Sequence, residues 1–373
     1  MRGQLNKGNR VPTRHRCSNR TVICGNSSHS CLALFSHSIL IGETSAHAQS
    51  MTHTPTPLRD LKSRQSAPDH AVQQPETIAV PLHRLHTQPG EGIGPGAHPL
   101  LRERLLHDLQ LLARPRHARW DPLGLLAVRS LLRERLGALG AVEEQHFGSG
   151  ADAGTNLILR LPGRRNDLPP LLVAAHYDGP LHSIGADDNA SGLAALLELA
   201  RRWAANPPQR PVWIVAFDQE EWGCLGSKAL AADLKRRGQP LELMVSLEML
   251  AFTGAEQRYP IPALRWLYGR RADFIAVIGN LRSLPRLPGL THRLGRHVRT
   301  KVLAVPLRGR ILPDVRRSDH SPFWDAGYRA VMITDTSFLR NPNYHKMSDT
   351  VATLNLDFFS RVTEGLARAL AAV

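Results

Sequence analysis

The chain has 373 residues, 42% of them hydrophobic, enough for one large domain with a tail or for two modest domains. Its formal charge is +15, and residues 1–76 hold 9 basic against 4 acidic side chains, about a third of the excess. The rest is spread over the body, without aromatic interleaving or a nucleic-acid motif, so a solvated basic surface is expected and a nucleic-acid partner is not.

Residues 1–76 are polar, rich in Ser, Thr, His and Pro, with no sustained period, and are expected to be disordered or removed. Two readings of this leader stand side by side. A basic start, the weak apolar stretch Cys31–Gly42 and the small-residue site Ala46-His-Ala48 resemble a secretory signal, which implies a periplasmic or secreted protein. A translation start at Met51 implies a cytoplasmic one. Cys17, Cys24 and Cys31 all lie in this tail, and Cys224 stands alone in the body, which excludes a disulfide within the body and a zinc ribbon. Cys224 is expected to be a small residue packed in a turn. No apolar run reaches about 18 residues, so no stable membrane insertion is expected. Residues 77–373 are expected to form one domain, and nothing in the sequence fixes an oligomeric state.

A Leu-rich helical pattern occupies 98–113 and stops at Pro115. Asp121-Pro122 reads as a helix start, with an acceptor at the N-cap and proline in the first turn. Leu125, Val128, Leu132, Leu136 and Leu139 follow helical spacing, and Gly140 can end that helix. From Asn156 the pattern alternates between short apolar runs and helices. The strands predicted are 156–161, 171–176, 212–217, 243–248, 273–278, 301–305 and 329–334. The helices are 191–204, 225–237, 318–326 and 355–371. This alternation argues for an α/β fold, an αβα sandwich around a mostly parallel, mixed central sheet. The stretches 250–272 and 281–298 read as excursions between strands that shape a pocket.

Imidazole and carboxylate groups recur at the ends of these apolar runs. In an open α/β sheet the C-terminal strand ends lie side by side along the binding crevice, so the groups are expected to converge on one site with ligands suited to zinc. His176 ends the second run, and Asp178 can hold its second ring nitrogen. A lone strand-end histidine is more often structural; the acidic groups that follow reverse that weighting. In Gly185-Ala-Asp-Asp-Asn-Ala-Ser-Gly192 one acid would suffice at a helix start, where it suits the dipole. Two, Asp187 and Asp188, suggest that one bridges two metal ions. Glu220 and Glu221 follow the run 212–217. Adjacent residues there point in different directions, so one can bind metal while the other acts as general base. Glu248 ends an otherwise apolar strand, where a buried carboxylate is expensive unless paired or metal-bound. His345 lies in a polar loop. Ser318-Asp319-His320 forms a further polar cluster, in which His320 is expected to be structural or supporting.

Together these motifs resemble the M28 family of zinc peptidases, which includes co-catalytic bacterial aminopeptidases. The resemblance covers about residues 98–373 and rests on His176-Tyr-Asp178, Gly185–Gly192, Phe217-Asp-Gln-Glu-Glu221 with Gly226-Ser227, Ser318-Asp-His320 and Tyr344-His345. It implies the phosphorylase/hydrolase-like fold of zinc-dependent exopeptidases and two zinc ions per subunit. Carried over residue by residue, His176, Asp188 and Glu248 hold one ion and Asp188, Glu221 and His345 the other, with Asp188 bridging. Glu220 is then the general base toward a water lying between the ions. Asp178 orients His176, and Asp187 and Asp319 support the ligands from behind. The position of Glu248 is Asp in some relatives and Glu in others.

The activity implied is aminopeptidase cleavage of peptides. A carboxypeptidase or dipeptidase would need a basic clamp for the terminal carboxylate, for which Arg308, Arg310, Arg316 and Arg317 are candidates. A single-zinc glutaminyl cyclase is disfavoured by the short link from Glu221 to Ser227 and by the intact Asp-Asn-Ala-Ser-Gly motif. A non-catalytic binding module is disfavoured because ligands and base are all present. Zinc, cobalt and manganese all remain compatible with this donor set.

Overall fold

Apolar runs of six residues, bounded by turns, build the centre of the molecule. The computed structural model describes residues 99–373. The expectations for the leader lie outside them. Eight strands occur among the described residues: β1 Val142–Phe147, β2 Gly154–Leu161, β3 Leu171–His176, β4 Val212–Phe217, β5 Leu243–Glu248, β6 Ile275–Asn280, β7 Thr300–Val305 and β8 Ala330–Thr334. They form one sheet in the order β1-β2-β4-β3-β5-β8-β6-β7. The pairings β3/β4, β3/β5, β5/β8 and β6/β7 are parallel, and β1/β2, β2/β4 and β6/β8 are antiparallel.

Strand side chains alternate between two buried faces, as the period of two requires. Val173, Ile214, Val245 and Ile333 face one core, under helices α1 (Pro99–Leu112), α2 (Pro122–Gly137), α3 (Gly192–Ala205), α6 (Leu287–Leu294) and α8 (Leu356–Ala371). Leu172, Val215, Met244 and Met332 face the other, under α4 (Leu225–Arg236) and α7 (His320–Ala326). The three-layer αβα sandwich expected from the alternation is therefore present. Truncating a fully buried leucine such as Leu193 of α3 is expected to cost about 2–5 kcal/mol.

Several details differ from the sequence reading. β1 is an additional strand; its run Val-Glu-Glu-Gln-His-Phe is too polar to register as apolar, because it is a half-exposed edge that, among the described residues, pairs only with β2. Each of the two stretches read as excursions holds an additional helix, α5 (Ala263–Tyr268) in 250–272 and α6 in 281–298. Pro288 of α6 sits in the first turn, where a missing N–H costs nothing. α2 begins at Pro122 as expected, yet the Asp121 side chain makes no capping bond, and the helix ends at Gly137 rather than Gly140.

The chain order sets the site. From β3 it moves to β4 on one side, then returns past β3 to β5 on the other. That reversal opens a crevice beyond the C-terminal ends of β3, β4 and β5, the place where open α/β sheets bind ligands.

Candidate metal centre

Three strand ends and two loops bring five donor side chains together at this crevice. The donor atoms of His176, Asp188 and Glu248 lie within 4.8 Å of one another, and so do those of Asp188, Glu221 and His345. Asp188 belongs to both groups. Its Oδ1 is 3.4 Å from His176 Nε2, and its Oδ2 is 3.2 Å from His345 Nε2. Glu248 Oε1 is 3.7 Å from His176 Nε2, and Glu221 Oε2 is 3.3 Å from His345 Nε2. Glu220 is largely buried, with Oε2 4.0 Å from His176 Nε2, and faces the same space.

The supporting contacts explain the motifs. Asp178 Oδ1 is 3.4 Å from His176 Nδ1 and accepts the Glu220 N–H at 3.0 Å; its Oδ2 accepts the Glu221 N–H at 3.1 Å. His176 Nδ1 also meets the Asp178 backbone carbonyl at 3.2 Å, so Asp178 sets the imidazole through its carbonyl and carboxylate together, while the carboxylate sets the backbone of the glutamate pair. The loop 185–192 clamps the segment around Glu248. Asn189 Nδ2 donates to the Leu247 carbonyl, its Oδ1 accepts the Met249 N–H, and Ser191 Oγ accepts the Leu250 N–H. Asp187 points away from the donor cluster. It accepts the Ala251 N–H at 3.0 Å and an Asn341 side-chain N–H at 2.9 Å, so it ties this loop to its neighbours. Gly185 has φ +55°, and a Cβ there would lie 2.0 Å from the Asp188 carbonyl oxygen, so only glycine fits. His345 itself has φ +55° and Met249, after Glu248, has φ +48°. Such conformations cost on the order of 1–3 kcal/mol each and concentrate at functional sites.

The remaining sequence candidates separate. Ser318 Oγ donates to Glu248 Oε2 at 2.8 Å and lies 2.9 Å from Ser246 Oγ. Asp319 is fully buried, with no hydrogen-bond partner at either carboxylate oxygen, and burial pushes it up to about 7. His320 is structural: its Nε2 meets the Val315 carbonyl at 2.8 Å, its ring meets Trp324 edge-on, and burial lowers its pKa to about 3. Cys224 does more than pack in a turn. Its Sγ lies 3.5 Å from Glu220 Oε1, at hydrogen-bond distance for sulfur.

Electrostatics point to a cation. Burial holds Glu220, Glu221 and Glu248 above the ordinary carboxylate range, and mutual repulsion adds to it. Asp188 is equally buried, yet the close approach of the His176 and His345 rings brings it below that range. His176 Nε2, Asp188 Oδ1 and Glu221 Oε1 are buried without a hydrogen-bond partner. Orphaned atoms of this kind, within a cluster of two imidazoles and three carboxylates, fit divalent metal and especially zinc.

A family model described as Peptidase family M28 matches residues 156–370. The chain belongs to peptidase family M28. M28 is a family of metallopeptidases, and the candidate donor groups of this chain suit a metal of the kind such a family uses. It is 37% identical over 216 residues to the uncharacterized protein YfbL of Escherichia coli, covering 54% of this chain and 66% of YfbL. It is 28% identical over 230 residues to a probable zinc metalloprotease of Pyrenophora tritici-repentis, covering 57% of this chain and 52% of that one. The chain thus spans about two thirds and about half of these relatives. Its fold resembles that of the LapA aminopeptidase of Legionella pneumophila, with a TM-score of 0.53, 19% identity, and 73% and 71% of the two chains covered.

Sequence reasoning missed two supports of this M28 site. Arg116, between Pro115 and His117, is fully buried and bonds backbone carbonyls of the loop that carries Asp188. Nothing periodic marks it. Asp349 accepts the N–H groups of Asp187 and Asp188, at 2.9 and 3.1 Å. It closes the segment read only for His345, and its acidic side chain was the available signal.

Proposed function

We propose that this chain is a zinc-dependent aminopeptidase with two ions, held as His176–Asp188–Glu248 and Asp188–Glu221–His345. The observation that supports this reading best is Asp188, whose two carboxylate oxygens face two different imidazoles. Zinc at these positions would make a water acidic enough to ionise near neutral pH and would polarise a peptide carbonyl. The chain's own groups complete the chemistry. Glu220 groups with His176 and Glu221 but lies outside both groups that contain Asp188, and it faces the cavity, where it is placed to take the proton of the attacking water. It then delivers that proton to the leaving amine. Asp178 keeps His176 in the tautomer that presents Nε2 to the ion.

The clamp required by a carboxypeptidase is only partly available. Arg308 donates to the Asp325 carbonyl, and neither it nor Arg310 lines the cavity. Arg316 is bound to Asp325 at 2.6 Å.

The test is hydrolysis of a panel of aminoacyl-p-nitroanilides by the zinc-loaded protein and by Glu220→Gln. Activity in the parent, lower by about 10²–10⁴-fold in the variant with two zinc ions still bound, supports the reading. Equal activity in both refutes Glu220 as the base. Two bound ions with no aminopeptidase activity refute the aminopeptidase assignment.

A further inference from the structure

A cavity of about 730 Å3 opens from the donor cluster and runs between α4, β6 and β7. Its walls carry Tyr259, Tyr268, Phe274 and Val302, but its charges are lopsided. Asp188, Glu220, Glu221 and Glu248 are four carboxylates that two divalent ions would balance. The remaining lining charges are Lys228, Lys235, Lys301, Arg316, Arg317, Asp314 and Asp325. Arg316 and Asp325 neutralise each other. Four cations are left against Asp314, and none of the four forms an ion pair with a carboxylate among the described residues.

Their positions are fixed by different elements. Lys228 and Lys235 stand two turns apart on α4, with Ala231 and Ala232 between them, so one helical face presents both. Lys301 lies on β7, its Nζ 5.6 Å from the Tyr268 ring centroid, and burial lowers its pKa. Arg317 is linked to the donor cluster by a chain of aromatic contacts. Its Cζ is 5.0 Å from the Phe338 ring; Phe338 lies 5.7 Å from Tyr344, and Tyr344 stacks on His345 at 3.8 Å. A guanidinium laid on an aromatic face keeps its N–H edge free for a bidentate acceptor.

We propose that this cavity selects peptides bearing a carboxylate, and that Arg317 receives it while the three lysines supply the attracting field. The proposal rests on the aminopeptidase reading. Three sources share this chemistry: an acidic N-terminal side chain, an acidic side chain in the leaving part, and a free C-terminus. Concentrated like charge in a walled cleft raises the local concentration of an opposite charge, and salt weakens the effect.

Three matched pairs of substrates distinguish the sources: Glu- against Gln-p-nitroanilide, Leu-Glu-amide against Leu-Gln-amide, and Leu-Gly-Gly against its amide. The expected result is a preference of roughly tenfold or more in kcat/KM for the charged member of one pair, as a charge-assisted hydrogen bond supplies. That ratio should fall toward one in Arg317→Met and partly recover in Arg317→Lys. The ratio within a pair cancels any general loss caused by the substitution. Equal cleavage of all three pairs overturns the selectivity while leaving the aminopeptidase reading intact. A preference that survives Arg317→Met overturns the assignment to Arg317. Calorimetric binding of the same pairs to the zinc-loaded Glu220→Gln protein tests the selectivity even where no peptide is cleaved; equal affinities there overturn it.

Discussion

The Arg116 guanidinium donates from Nη2 to the carbonyl oxygen of Asp188 at 3.1 Å, from beneath the loop that presents the Asp188 carboxylate. The same group donates to the carbonyls of Gly185, at 2.9 Å, and Ile184, at 2.6 Å. No carboxylate pairs with it among the described residues. The positive charge is fully buried, held by peptide dipoles and by the field of the nearby acidic cluster. Arg116 therefore stabilises one loop shape.

Replacing Arg116 by Met removes these bonds and leaves several buried carbonyls unsatisfied, at about 1–3 kcal/mol for each group. Lysine is a poor substitute, because a single ammonium does not reproduce the planar fork that spans Ile184, Gly185 and Asp188. Both variants should melt lower than the parent, Arg116→Met by roughly 10 °C, given about 2–4 °C per kcal/mol at this domain size. Thermal unfolding followed by circular dichroism measures this. Melting within a degree of the parent would remove Arg116 from the account.

Asp178 does two things at once, setting His176 and receiving the backbone N–H groups of Glu220 and Glu221. Asp178→Asn keeps the size but loses the charge, and its amide can accept at only one atom. We expect zinc affinity to fall by about 10–100-fold, the usual effect of removing a ligand's orienting partner. Competition with a chromophoric chelator reads the affinity directly. Unchanged affinity would mean that the strand end alone holds His176.

Much of this architecture was legible because its signals are local. The runs ending at His176 and Glu248 are apolar apart from Ser246, so β3 and β5 announce themselves together with the polar residues that close them. The C-terminal ends of parallel strands then collect those residues without knowledge of tertiary contacts. What escaped was set by distant partners. β1 is a polar edge whose identity depends on β2, and α6 hides behind Pro288 and Gly289. Arg116 meets Asp188 across 72 positions, and Asp349 meets Asp187 across 162. No pattern in a short window marks such contacts. Asp187 was read as a support behind the ligands, but its partners, the Ala251 N–H and the Asn341 side chain, lie 64 and 154 positions away and no short window shows them.

Ser318 offers a way to weaken one ion and spare the other. Its hydroxyl donates to Glu248 Oε2, and Glu248 belongs to only one of the two groups that share Asp188. Ser318→Ala removes that bond with little change in volume. Zinc titration should separate into two steps, with one affinity lower by about tenfold and the other near its parent value. A uniform fall in both affinities, or none, would disconnect Ser318 from Glu248.

Asp187 and Asp335 are a buried carboxyl pair behind the donor loop. Burial raises both, Asp187 well above the ordinary range and Asp335 to about 6, the latter restrained by Arg340. In the unfolded chain an aspartate titrates near ~4. Between these values the folded protein retains a proton that the unfolded chain has released, so folding is favoured at low pH and loses that contribution as pH rises through about 6. A shift of this size corresponds to roughly 2–3 kcal/mol. Asp335→Asn does not titrate, so its stability should fall less than the parent's between about pH 4.5 and about pH 7.5. Urea unfolding of the metal-free proteins measures the difference. Asp319 and Asp349, both raised to about 7 by burial, give a slope of the same sign in parent and variant, so they cancel in the comparison. Parallel stability curves for the two proteins would show that Asp335 is already ionised in the folded state at low pH.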